Sequence, residues 1–492
     1  MSDHRDELRR QILELTRQYS QLSHRDNLPG DHTAKALFVA GQHTVPYAAR
    51  VFDADEVESA VAATLDFWLT LGREGEAFEA GLATFLSVKR SLAVNSGSSA
   101  NLLAMTALTS HKLPADRRVR PGDEIITVAA GFPTTVAPIV QNGAVPVFID
   151  ADPRTGNARV DQLEQALSPG KTKAVMMAHA LGNPFDLAAT LEFCRRHNLW
   201  LIEDNCDALG CSYSLPAHHP AQSGQGTPGS DGRLTKWTGS WGDLSTQSFY
   251  PPHHLTMGEG GAVNIVRDMR FKVIVESFRD WGRDCWCASG KDNTCNKRFG
   301  WQLGELPHGY DHKYIYSHLG YNLKPLDIQA AIGRRQLEKL PAFIQARKDN
   351  WQYLRAGLAP LEEFFDFALP THATAWNPDG TFQWDDSGCR TECSWFGFKM
   401  TVRENAPCSR TEVAAHLDEK KIGNRMLFGG NLVRQPAFVQ LARDNPAAFR
   451  VAAPLDGADR LMNRTLFIGT YPGLTRSMLD YEIETLTQFC RR

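Results

Sequence analysis

The sequence has almost no charge imbalance: across 492 residues, 53 Lys and Arg stand against 56 Asp and Glu, a formal net charge of -3. A chain so balanced presents no basic stripe, which excludes nucleic acid and other polyanions as expected partners. No stretch approaches the ~18 continuous apolar residues that a membrane span needs. The opening MSDHRDELRRQILELTRQYSQ has no apolar core of secretory-signal length. The expectation is a cytoplasmic protein with no membrane partner. Internal repeats are also lacking. Ten cysteines are present. Without a secretion signal, metal ligands or reactive thiols explain them better than disulfides do, and most are expected to be inert.

Leu8, Ile12, Leu15, Tyr19 and Leu22 recur at helical spacing among charges, which predicts an amphipathic helix over residues 1–30 packed on the body. From about Glu76 to Arg267, helical stretches alternate with short apolar runs at 124–128, 145–149 and 200–204. That alternation predicts an α/β domain around a mainly parallel sheet, spanning 31–325. A helix near Pro325 to Lys339 opens a smaller C-terminal α+β domain, 326–492. Residues 216–236, rich in Gly, Pro, Ser and Gln, read as an exposed or mobile loop. Residues 371–394, with Cys389 and Cys393, read as a second long loop.

Asn95-Ser96-Gly97-Ser98-Ser99-Ala100-Asn101 precedes an apolar helical run, so its N–H groups lie at a helix start that suits a phosphate. Ser and Gly are also ordinary cap residues. Glu203-Asp204 closes a buried strand, at the end where ligands sit in open α/β sheets. An acid there either caps the next element or keeps a pyridine nitrogen protonated. The third stretch is Ser248-Phe249-Tyr250-Pro251-Pro252-His253-His254-Leu255-Thr256-Met257-Gly258-Glu259-Gly260-Gly261.

In order and wording these motifs resemble the DegT-type sugar aminotransferases, pyridoxal-phosphate enzymes of aminotransferase fold type I. Counted from Ser248, that family's cofactor-binding lysine is replaced here by His253. The resemblance implies pyridoxal or pyridoxamine 5'-phosphate as cofactor. Gly97, Ser98 and Ser248 would hold its phosphate, Phe132 would stack on its ring, Asp204 would pair with its ring nitrogen, and Asn183 would sit nearby. Asn322 of GYNLKPLDIQAAIG would reach the phosphate of a partner subunit, which implies a homodimer. Imidazole cannot condense with a carbonyl as a lysine amine does, so ordinary transamination is disfavoured; it is a competent general base, which points to a dehydration beside a ketone. A degenerate site, His254 acting in place of His253, and Lys236 replacing the missing lysine are the competing readings.

Cys285-Trp286-Cys287 with Cys295 gives C-x-C-x7-C, three thiols in one polar loop. Spacing alone does not choose among zinc, a two-iron cluster and free thiols. Cys206 and Cys211 are the near candidates for a fourth ligand, and Cys206 shares an extended face with Asp204 about 7 Å away. Histidine and cysteines together resemble a subgroup of the family, the CDP-6-deoxy-L-threo-D-glycero-4-hexulose-3-dehydrases of 3,6-dideoxysugar and lipopolysaccharide biosynthesis. That resemblance implies a CDP-4-keto-6-deoxyhexose substrate, a [2Fe-2S] cluster on Cys206, Cys285, Cys287 and Cys295, and a flavin-containing reductase as partner. The gap from Cys206 to Cys285 is longer here by about the length of the loop 216–236, which leaves Cys211 in play. Arg425, Arg434 and Arg464 lie in shared motifs and suit a nucleotide diphosphate, though single arginines are commonly surface residues. A histidine-type dehydratase without a cluster and an inactive sugar-nucleotide-binding homologue are the alternatives.

Overall fold

The computed structural model describes residues 2–287 and 290–491, with side chains from His4 onward. The expected thiol loop 285–295 is thus described apart from residues 288 and 289, which lie outside the described residues. The strands are β1 Arg90–Val94, β2 Glu124–Val128, β3 Val145–Ile149, β4 Thr172–Ala178, β5 Trp200–Asp204, β6 Ser212–Pro216, β7 Arg233–Trp237, β8 Leu244–Ser248, β9 Gly261–Ile265, β10 Phe365–Phe367, β11 Ala373–Trp376, β12 Phe382–Trp384, β13 Arg390–Glu392, β14 Gly397–Val402, β15 Asn424–Met426, β16 Arg450–Val451 and β17 Thr465–Gly469. The three runs expected to be strands are β2, β3 and β5.

The large sheet has the order β1-β9-β8-β5-β4-β2-β3-β16. Its pairings are parallel except where β9 runs antiparallel to β1 and β8. Its middle strands are buried on both faces, which is why they read as continuous apolar runs rather than alternating ones. Side chains such as Ile126, Phe148 and Ile202 are sealed between sheet and helices, each worth about 1.5–3 kcal/mol of burial. The smaller antiparallel sheet, β10-β14-β17-β15, carries its own core with Phe398, Met400 and Ile468. Val45 and Val51 lie in that second core, so part of the segment expected with the large domain packs on the small one. The helix expected to open the small domain runs from Asp327 to Gly357, past Pro341. A proline inside a helix costs about 3 kcal/mol; burial of Leu340, Phe343, Ile344, Trp351 and Leu354 offsets it.

Three expectations need correction. Residues 217–232 form a largely exposed connection as expected, but 233–236 belong to β7, which returns antiparallel on β6 from Pro216↔Arg233 to Ser212↔Trp237, and β13 adds on the other side. Residues 371–394 likewise contain β11, β12 and β13, with Cys389 and Cys393 buried; local polarity concealed strands whose partners are distant in sequence. The N-terminal helix forms over Ser2–Ser23, but its stripe does not pack inward. Leu8, Ile12, Leu15, Tyr19 and Leu22 are exposed. Arg9 to Asp66 and Arg17 to Asp55 and Glu58 tie the polar face to the neighbouring helix Ala54–Asp66 instead.

Candidate active site

The carboxyl ends of β5 and β8, the start of the helix Gly97–Ala107 and the turn after Ala130 converge on one place. Ser96 caps that helix, accepting from the Ser99 N–H at 3.1 Å. Gly97 is needed for close approach: a Cβ there would lie 2.4 Å from Ser248 Cβ and 2.8 Å from Ser248 Oγ. The result is a cradle of helix N–H groups and the Ser248 hydroxyl, with Ser98 exposed beside it. An anion is the natural occupant of such a cradle. Phe132 is half-exposed at the start of the helix Pro133–Gln141.

Asp204 is buried at the end of β5, and its Oδ2 accepts from Asn101 Nδ2 at 2.9 Å and Thr135 Oγ1 at 2.7 Å. Asn101 in turn accepts from Thr246 Oγ1 at 2.6 Å. Oδ1 accepts the Cys206 backbone N–H at 3.2 Å, and with up to about four lone-pair sites on the carboxylate acceptor capacity remains for a cationic N–H. Glu203 points to the other face and braces the turn before β8, accepting from the backbone N–H groups of Gly239, Trp241 and Gly242.

His253 is nearly buried, in the turn after β8. Its Nδ1 stands 3.4 Å from Asp207 Oδ1, and its ring lies 5.5 Å from Phe396. Arg347, on the long helix, donates to the carbonyls of His253 at 3.2 Å and Trp395 at 3.2 Å, clamping the turn against the small domain. Burial takes the imidazole pKa down to about 4, opposed by Asp204 and assisted by Arg347. Burial and then the charge of Asp204 push Asp207 up to about 8, while Arg347 pulls it back. The neighbouring His254 is excluded as the working histidine: its Nε2 bonds the Ser394 carbonyl inside the core. Lys236 is excluded as a replacement lysine. It lies in β7, its Nζ donating to Gln225 Oε1 and the Ser240 carbonyl, 4.8 Å from the Trp241 ring centroid.

Other expected residues are placed elsewhere. Asn183 does not turn to the site. Its amide is fully buried and spent, donating to the carbonyls of Thr155 and Leu369 and accepting from the Thr371 N–H. Asn322 is exposed, accepting from Lys324 Nζ at 2.8 Å. Arg434 is paired with Asp459 and Arg464 donates to the Arg403 carbonyl; Arg425 is exposed, its guanidinium over the Tyr47 ring at 4.2 Å and donating to the Asn424 carbonyl at 2.7 Å. The residues that sequence reasoning missed are Asn101, Thr135, Asp207 and Arg347. Asp207 follows Asp204 by three positions and was legible as a nearby acid; Arg347 comes from a distant helix and had no local signal.

The four expected metal ligands are not assembled. Among the described residues, no group of three or more Cys, His, Asp or Glu side chains is placed to hold a metal. Cys206 lies beside Asp204, and burial followed by the charges of Asp204 and Asp207 pushes its thiol well up. Cys211 is sealed, its Sγ donating to the Gly182 carbonyl and accepting from the Ser394 N–H. A four-thiolate cluster does not fit the side chains of one chain as they stand.

A phosphate cradle, a buried acid at a strand end and a histidine in the following turn, on a mainly parallel sheet with a small second domain, define a cofactor enzyme of the aminotransferase fold. The chain belongs to the DegT/DnrJ/EryC1/StrS aminotransferase family, matching it over residues 52–487. It is 47% identical over 482 residues, 98% of both chains, to the lipopolysaccharide biosynthesis protein RfbH of Salmonella typhimurium. It is 44% identical to the dTDP-4-dehydro-2,6-dideoxy-D-glucose 3-dehydratase of Saccharopolyspora spinosa, over 92% of this chain and 88% of that one. Among solved structures it is similar to the E. coli GDP-4-keto-6-deoxy-D-mannose-3-dehydratase with bound hydrated PLP, at 25% identity and a TM-score of 0.72, covering 90% of this chain and 100% of that one.

Proposed function

We propose that this chain is a pyridoxamine-phosphate-dependent 3-dehydrase of a nucleotide-linked 4-keto-6-deoxyhexose, with His253 as its general base. The observation that carries the reading is a nearly buried imidazole, uncharged at neutral pH, standing where a lysine would make an aminotransferase. The cradle of Gly97, Ser98 and Ser248 fits the cofactor phosphate, and the spare Asp204 oxygen fits a pyridinium N–H. Bound pyridoxamine phosphate supplies an amine that joins the sugar ketone and a ring that draws electrons from it. The protein's own part is proton management. Asp207 faces Nδ1 of His253, which leaves Nε2 to accept a carbon-bound proton and to hand one to the departing 3-hydroxyl. Asn101 and Thr135 fix Asp204, and Arg347 fixes the backbone of His253, so neither group reorganises during the step.

The relatives' names give CDP no advantage over other nucleotides, since a dTDP-sugar enzyme is 44% identical; CDP-4-keto-6-deoxyglucose is proposed on the motifs of the sequence. Reduction through a [2Fe-2S] cluster by a flavin-containing reductase belongs to the same proposal, although the described side chains of one chain do not gather the ligands. The test is mass spectrometry of CDP-4-keto-6-deoxyglucose incubated with protein, pyridoxamine phosphate and an external reductant. A sugar that has lost its 3-oxygen supports the reading. A 4-amino sugar, or unchanged substrate, overturns it.

A further inference from the structure

A cavity of about 630 Å³ lies between the loop after β3 and the small domain, within the ~300–1,000 Å³ usual for small-molecule sites. Neither the phosphate cradle nor Asp204 or His253 takes part in its wall. Four guanidiniums do: Arg154 from the loop, Arg355 from the last turn of the long helix Asp327–Gly357, Arg403 after β14, and Arg460 from the helix Asp456–Arg464. Three carboxylates face them. Asp152 pairs with Arg154 at 3.0 Å and Glu362 with Arg355, while Asp366 serves both Arg403 and Arg460 at 2.9 Å. Beneath them the Lys399 Nζ donates to the carbonyl of Pro153, itself part of the wall. Burial lowers the Lys399 pKa to about 8, which leaves the amine cationic at neutral pH. Five cations thus stand against three carboxylates.

Arg355 shows what the cavity lacks. It is only 5% exposed, with its guanidinium carbon 4.2 Å from the Trp376 ring centroid and 4.9 Å from that of Phe367, and both rings line the cavity. Glu362 takes its Nη2, but its Nε and Nη1 have no hydrogen-bond partner. Trp376 Nε1 and Arg460 Nε are left in the same state. Among the described residues, every buried and unpartnered side-chain atom along this wall is an N–H, and none is an oxygen. Buried donors left unmet are costly. The occupant that meets them brings acceptors alone, and a phosphate does so in a geometry that guanidinium forks match. An adjoining cavity of about 940 Å³ shares Asp152, Arg154 and Arg460 with the first. It adds the carboxylates of Glu404 and Asp456, which have no hydrogen-bond or ion-pair partner among the described residues. Those two repel a second phosphate and accept from hydroxyls.

We infer that the two cavities together bind a sugar phosphate, its phosphate among Arg154, Arg355, Arg403 and Arg460 and its hydroxyls toward Glu404 and Asp456. The site is separate from the one at which the keto sugar reacts. Its wall comes from both domains, so a bound sugar phosphate ties the loop after β3 to the small domain.

The test is titration calorimetry at neutral pH and fixed ionic strength, with ribose 5-phosphate, inorganic phosphate and ribose as probes. The protein carries one equivalent of pyridoxamine phosphate, so that the Gly97–Ser248 cradle is already filled. Ribose 5-phosphate should bind once per chain and more tightly than inorganic phosphate, and ribose should give no heat of binding. R355M keeps an apolar stem between the two rings and should weaken ribose 5-phosphate at least about tenfold. D366N releases Arg403 and Arg460 and should tighten it, an effect of opposite sign that damage to the fold does not produce. No binding of ribose 5-phosphate, or binding that R355M and D366N leave unchanged, would overturn the inference. Inorganic phosphate binding as tightly as ribose 5-phosphate would overturn the assignment to a sugar phosphate.

Discussion

At the scale of single residues, the account turns on how one proton is shared between His253 and Asp207. Nδ1 stands 3.4 Å from Asp207 Oδ1 without a hydrogen bond between them; in the proposed base-competent form Nδ1–H turns to that carboxylate and Nε2 is bare. When Asp207 keeps its proton it donates to Nδ1, and Nε2 carries the hydrogen instead. With Asp207 raised to about 8, the base-competent form gains population as pH rises toward 8. Proton exchange at the cofactor carbon should climb over that range rather than around 6.5. In D207N the amide donates to Nδ1 at every pH, so exchange should fall about 100-fold and lose its pH limb while cofactor binding, read by absorbance, persists. A limb centred on 6.5 and untouched by D207N would detach Asp207 from the chemistry. The placement of Asp204 and Ser248 at strand ends, with His253 in the following turn, was legible because those motifs are local in sequence. Asp207 needed the fold to show which acid faces the imidazole, and Asn183 looked available only until its amide proved to be tied to Thr155, Leu369 and Thr371.

At the scale of elements, the helix Gly97–Ala107 and β8 meet with no room for a side chain between them. G97A should push Ser248 away from the cradle, since its Cβ would approach Ser248 Cβ to 2.4 Å. We expect cofactor affinity to fall by roughly tenfold or more, a loss of one good phosphate hydrogen bond, with an unchanged far-ultraviolet dichroism spectrum. Equal retention of cofactor by G97A and wild type would mean that the phosphate sits elsewhere. Strands β2, β3 and β5 of the large sheet were legible because they are short apolar runs buried on both faces. Those inside 216–236 and 371–394 were not. β7 and β13 flank β6 on opposite sides, with β13 about 175 positions from it in sequence, and polar composition there reflects an outer face rather than disorder.

At the scale of the whole molecule, the second core holds an acid that works against it. Glu482 is fully buried with neither oxygen hydrogen-bonded, and burial raises its pKa well above the usual value. Below pH about 4.5 both folded and unfolded chains are protonated there. Above it the unfolded chain ionises while the folded one resists, so this residue's contribution to stability is lost as pH rises. E482Q should therefore raise Tm at pH 8, with a gain of about 1–3 kcal/mol, and have little effect at pH 4; thermal unfolding followed by fluorescence checks both. The same core receives Arg347 and Trp395, which clamp the turn of His253, so small-domain packing and catalytic geometry are joined. The measurement that bears most directly on His253 as base uses pyridoxamine phosphate, CDP-4-keto-6-deoxyglucose and tritiated water with wild type and H253N. Wild type should wash solvent hydrogen into C4′ of the cofactor, and H253N should do so at least about 100-fold more slowly. Exchange in H253N at the wild-type rate, or none in wild type, would contradict the account.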